Sequence, residues 1–126
     1  MGSVIPKRIV KGVLERDNQE CVISGPDCVG VATVADHRVN RGSGGSKVLD
    51  DPRNLVASCG ICNGWKETAT GKWLVILRER GVRVEKAATN QESLSRAIER
   101  PVAYPDGRKF FLLPGFLREE IVEVPF

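Results

Sequence analysis

Apolar residues recur at helical spacing near the start of the chain. Ile9, Val10, Val13 and Leu14 lie between Pro6 and Asp17, with Lys7, Arg8 and Lys11 on the other face. The pattern predicts a short amphipathic helix with a basic outer side. The period then changes. Val29-Gly30-Val31-Ala32-Thr33-Val34-Ala35 is a β-rich run ending at Asp36-His37, and it predicts a strand that presents those two side chains at its C-terminal end. A polar stretch follows from Asn40 to Asp51, with Gly42-Ser43-Gly44-Gly45-Ser46 at its centre. Leu55 to Ser58 supply a second antiparallel strand. Cys62 to Thr68 supply a helix in which Asn63, Lys66 and Glu67 stand at spacings of three and four.

Past Gly71, the run Trp73 to Arg80 reads as another helix closed by Gly81, although its five consecutive apolar residues also suit a buried strand. Thr89 and Glu92 have the spacing of a capping box before Leu94, Ala97 and Ile98, and Pro101 forbids continuation. Pro105-Asp106-Gly107 predicts a hairpin turn between Val102–Tyr104 and Phe110–Leu113. The tail from Pro114 onward carries no recognisable chemistry, and no internal repeat is present. Mixed helix and strand in one chain of 126 residues imply a single α+β domain.

Composition adds little except through its distribution. Residues 1–83 hold 13 Lys and Arg against 9 Asp and Glu, whereas residues 84–126 hold 6 against 7. The positive excess therefore lies in the first two-thirds, where a phosphate-facing surface is expected. No stretch approaches the roughly 20 apolar residues of a membrane span, and no apolar signal region opens the chain. Gly2 does not mark a lipid attachment, because Pro6 stands where that motif wants Ser or Thr. A cytoplasmic protein without a membrane partner is the expectation.

The four cysteines fall in two pairs, Cys21-x6-Cys28 and Cys59-x2-Cys62. Ser24-Gly25-Pro26-Asp27 turns the backbone inside the first pair, and Gly60 does so inside the second. Without an export signal, disulfides are disfavoured, and buried free thiols are the plain alternative to a metal. Four thiolates at about 2.3 Å suit a structural Zn2+. A closed four-sulfur site leaves no open coordination position, so chemistry is expected elsewhere.

His37 is the one histidine of the chain; it follows Asp36, and Asn63 follows the last cysteine. Asp36-His37, the glycine-rich loop, Asn54-Leu55 and Cys59-x2-Cys62-Asn63-x2-Lys66 together resemble the HNH nuclease motif in its four-cysteine form, over about residues 21–67. Asn63 stands where the name-giving pattern has a final histidine, and in this respect the chain is similar to phage endonucleases of the endonuclease VII type. The resemblance implies an α+β fold with a ββα-metal (His-Me finger) centre at about 28–68, flanked by helices and a C-terminal hairpin. It implies hydrolysis of DNA phosphodiesters to 5′-phosphate and 3′-hydroxyl ends.

By the same resemblance, His37 is the general base, Asp36 and Asn63 hold the catalytic divalent ion, and Asn54 orients the loop that positions His37. An oxygen-rich ligand shell of this kind suits Mg2+ or Mn2+. Cleaving a phosphodiester needs a base near neutral pKa, a cation on the phosphate and donors for neighbouring phosphates. Arg38, Arg41 and Lys66 are the candidates for the last role. A monomer nicking one strand at a time is expected, with a dimeric branched-DNA resolvase or a non-catalytic zinc-dependent nucleic-acid-binding module as the rivals.

Overall fold

A computed structural model describes residues 4–42 and 47–122, so Ser43-Gly44-Gly45-Ser46 of the predicted loop lies outside the described residues. The chain is a mixed α+β structure. Helix α1 (Lys7–Arg16) is the predicted amphipathic helix, with Val13 buried and Lys7, Arg8 and Lys11 exposed. Pro6 fits the position before the first turn, where the fixed φ of proline is tolerated and a missing N–H costs nothing.

Strand β1 (Val34–His37) pairs antiparallel with β2 (Leu55–Ser58), with Asp36 opposite Val56 and His37 opposite Leu55. The predicted first strand is thus shortened. Only an isolated bridge between Glu20 and Val31 and single bonds such as Thr33 N–H to the Ser58 carbonyl hold the residues before Val34. Those residues follow the cysteine knuckle, which bends them out of a continuous ladder. The outer edge of β2 is satisfied by other groups: the Ala57 carbonyl accepts from Val22 N–H, and the Ala57 N–H donates to Asp17 Oδ2 at 2.9 Å.

Helix α2 (Gly60–Thr68) follows β2 directly, its first turn capped by the Cys59 sulfur. The run after Gly71 is helical, as α3 (Gly71–Glu79), and the capping box opens α4 (Asn90–Glu99), where Thr89 Oγ1 accepts from Glu92 N–H. Between α3 and α4, Gly81 has φ +73° and a Cβ there would lie 2.1 Å from the Pro101 carbonyl oxygen, so glycine alone fits.

The C-terminal hairpin is larger than its pattern suggests. Strands β3 (Val102–Ala103), β4 (Lys109–Leu113) and β5 (Leu117–Glu120) make a three-stranded antiparallel sheet in that order. β5 reads Leu-Arg-Glu-Glu and buries none of its side chains fully, which is why no apolar alternation betrays it. Phe116, in the turn before it, packs its ring over Gly12 of α1, where a Cβ would come within 2.5 Å of the ring.

The main core joins the two sheets: Val13, Ile23, Leu55, Val56, Leu77, Val82, Val102 and Phe110 belong to one buried cluster. A smaller cluster of Val39, Leu49, Val84 and Ala97 lies under the loop that follows β1. Polar cross-links reinforce the arrangement. Asp17 takes two bonds from Arg16 at 2.9 Å and one from the Tyr104 hydroxyl at 2.5 Å, while Arg16 also donates to the Leu55 carbonyl at 2.6 Å. Among the described residues no helix is long and apolar enough to cross a membrane.

Candidate functional site

Cys21, Cys59 and Cys62 are buried and Cys28 is half-buried, and their four sulfurs lie within 4.8 Å of one another. A zinc ion with Zn–S bonds of about 2.3 Å separates its sulfurs by roughly 3.8 Å, so the four are placed to hold such an ion. Backbone N–H groups already face them. Gly25 N–H donates to Cys62 Sγ, Gly30 N–H to Cys28 Sγ and Cys62 N–H to Cys59 Sγ, at 3.3–3.4 Å. Burial pushes the Cys59 thiol up, but hydrogen bonds from Val29 and Cys62 backbone outweigh it and hold the group at about 6, on the thiolate side. Among the described residues this is the one cluster of His, Cys, Asp or Glu groups with such geometry.

Asp36 and His37 sit at the end of β1, beside α2. Asp36 is 4% exposed, and Lys66 Nζ lies 3.4 Å from its Oδ1. Its Oδ2 is the one buried side-chain oxygen or nitrogen, among the described residues, that has no hydrogen-bond partner. Burial pushes the Asp36 carboxyl up to about 7, against the pull of Lys66. An orphaned buried carboxylate oxygen is costly unless water or a cation meets it.

His37 Nε2 lies 2.7 Å from Asp50 Oδ1, and Arg41 Nη1 grips both oxygens of the same carboxylate at 3.0 and 3.2 Å. Burial lowers the His37 pKa from its ordinary value, and the charges of Arg41 and Lys66 add to this, while Asp50 works the other way. The imidazole is therefore neutral at neutral pH. Asp50 belongs to no sequence motif. It sits in a 3₁₀ turn (Lys47–Asp50), thirteen positions from His37, and no spacing rule connects the two.

Asn54 is fully buried and spans both ends of the loop between the strands. Its Oδ1 accepts from Val39 N–H at 2.9 Å, and its Nδ2 donates to the carbonyls of Val39 at 3.2 Å and Leu49 at 2.9 Å. Leu49 precedes Asp50, so Asn54 fixes the residue that in turn holds His37. Asn63 lies in the first turn of α2, exposed, and its side chain makes no hydrogen bond among the described residues.

The three basic candidates for phosphate contact are differently placed. Arg38 is turned inward, 1% exposed, and donates to four backbone carbonyls, those of Gly81, Arg53, Ala97 and Arg100, at 2.7–2.8 Å. Burial lowers its pKa to about 9, which still leaves it protonated at neutral pH. It is a structural hub and does not reach solvent. Lys66 is fully buried as well: its ammonium donates to the His37 carbonyl and lies between Asp36 and Glu67, the latter at 3.2 Å. Burying an ammonium costs several kcal/mol, and the two carboxylates and the carbonyl offset that cost. Arg41 is half-buried and joined to Asp50. Glu67, which likewise belongs to no motif, also accepts from Asn40 Nδ2 at 2.9 Å.

No family model matches the sequence, and no solved structure matches it. Gene 4 protein of Mycobacterium phage L5 is 38% identical over 74 residues, a match covering 59% of this chain and 65% of that protein. The chain thus spans a little less than two thirds of the length of this phage relative.

Proposed function

We propose that this chain is a metal-dependent DNA endonuclease of the HNH, ββα-metal type, in which β1, β2 and α2 form the ββα centre and the four cysteines hold a structural zinc. The observation that carries this reading is the orphaned, buried Asp36 Oδ2 beside a neutral His37 that is oriented by Asp50. A pure binding module has no use for a buried carboxylate oxygen without a partner next to an oriented neutral base.

Asp36 and Asn63 would hold a divalent ion, and their oxygen donors fit Mg2+ or Mn2+. Such an ion supplies positive charge for the scissile phosphate and the departing 3′ oxygen. The protein's own residues do the rest. With its Nε2 proton donated to Asp50, the His37 ring leaves the Nδ1 lone pair free to accept a proton from water as that water attacks phosphorus and the P–O3′ bond breaks. Arg41 holds Asp50 in place. Lys66 compensates the charge of Asp36 and, through the His37 carbonyl, fixes the end of β1.

The test is a supercoiled-plasmid time course with Mg2+ or Mn2+ and an EDTA control. Open-circular DNA accumulating ahead of linear DNA, and no cleavage in EDTA, is the expected result. Direct conversion to linear DNA would favour a dimeric enzyme. An inert protein that is fully folded and zinc-loaded would remove the nuclease reading.

A further inference from the structure

Arg38 and Lys66 are buried in the fold and Arg41 is engaged by Asp50, so the DNA backbone must be met by other cations. A polar cleft of about 320 Å³ opens beside the site. It is lined by Arg38, Asn40 and Glu67, and by Arg83 and Lys86 of the segment between α3 and α4. Arg78 and Glu85 also line it, paired with each other at 3.4 Å.

The charges in the cleft do not cancel. Arg38, Arg78, Arg83 and Lys86 line it against Glu67 and Glu85, so four cations meet two carboxylates. Arg83 is half-buried and preset: its Nη1 donates to the carbonyls of Lys66 at 3.0 Å and Ala69 at 3.2 Å, at the end of α2, while its Nη2 makes no hydrogen bond among the described residues. A guanidinium held on one side with its other donors open is pre-organised for an oxyanion. Lys86 is exposed and makes no ion pair among the described residues. Its Nζ hangs over Gly42, 3.7 Å from where a Cβ of that residue would stand, at the start of the loop that follows β1.

We propose that Arg83 and Lys86 form a phosphate subsite of this cleft, binding the DNA backbone next to the scissile phosphate. This rests on the nuclease reading for its ligand. The ammonium and guanidinium reach one backbone segment from two directions, while Asn40 and Glu67 connect the cleft to Asp36 through Lys66.

The test uses the full chain, a fluorescein-labelled DNA duplex in EDTA for binding, and the same duplex with Mg2+ for cleavage. Lys86→Ala should weaken binding by about 5–10-fold, Lys86→Glu by more, and the slope of log Kd against log salt should fall by about 0.9 for the lost phosphate contact. Lys72→Ala, an exposed lysine on α3 outside the cleft, is the control and should leave Kd and slope as they are. Wild-type Kd and slope in both Lys86 variants would overturn the subsite while leaving the nuclease reading intact. Weakened binding in those variants of a protein that never cleaves would keep the subsite and overturn the nuclease reading.

Discussion

His37 and Arg38 are consecutive in sequence, yet they are anchored to different parts of the chain: the His37 ring to Asp50 at 2.7 Å, and the Arg38 guanidinium to the Ala97 and Arg100 carbonyls of the α4 region at 2.7 Å. The proposed base is therefore braced from the side its neighbour faces. α4 lies outside the proposed site, but its carbonyls hold the backbone that carries His37.

Removing that brace should destabilise the whole molecule. Arg38→Met leaves four carbonyls without their donor, and the loss is expected at about 3–5 kcal/mol, with Arg38→Lys intermediate because an ammonium has fewer donors. Urea denaturation measures it. A variant within about 0.5 kcal/mol of wild type would show that the four bonds are not formed in solution.

Zinc should account for a large share of folding. One ion per chain is expected by elemental analysis, and Cys59→Ser or strong chelation should unfold the protein, since structural-zinc binding amounts to about 10–16 kcal/mol in small zinc domains. Folded protein free of zinc would contradict the site.

His37→Ala is expected to lower kcat by about 10²–10⁴-fold with DNA affinity nearly unchanged, because the phosphate contacts lie elsewhere. Near-normal turnover would mean that another group takes the proton.

Asp50→Ala should act through His37. A loss of about 10-fold or more in kcat with KM unchanged is expected, and the folded stability of the variant separates a positioning role from a structural one. An unchanged kcat would mean that His37 needs no orienting partner.

Tyr104 gives a dependence on alkaline pH. Burial, with the charge of Asp17, raises its pKa above the ordinary value near 10. The folded state thus keeps the phenol proton more tightly than the unfolded chain does. The corresponding stability is fully present below the unfolded pKa of about 10 and is lost as pH rises toward the folded one. Tyr104→Phe should lose about 1–2 kcal/mol at neutral pH, from the bond to Asp17, and should lack the alkaline decline that belongs to this group. Equal alkaline profiles for the two proteins would remove Tyr104 as the source.

Much of the scaffold is legible in the residues. The cysteine spacing, the β-rich run that ends at Asp36-His37, the stretch Leu55–Ser58, the spacing of Asn63, Lys66 and Glu67, and the capping box at Thr89 are local signals, and the cysteine cluster, β1, β2, α2 and α4 follow from them. Other features depend on partners far along the chain. An arginine or lysine beside the Asp36-His37 or Asn63 motif looks like a phosphate ligand until carbonyls from Gly81, Arg53, Ala97 and Arg100 converge on one, and Asp36, Glu67 and the His37 carbonyl on the other. Asp50 carries no motif at all. β5 is invisible because it has no apolar alternation: its ladder to β4 and the stacking of Arg118 on Phe110, 4.0 Å from the ring centre, define it.

The three bonds of Asn54 join Val39 and Leu49, the two shoulders of the loop, within one side chain. Arg41, inside that span, returns to the Asp50 carboxylate at 3.0 Å. The chain between His37 and Asp50 is thus clasped twice, once through its backbone by Asn54 and once through a side chain by Arg41, and the mutual register of His37 and Asp50 does not hang on either clasp alone.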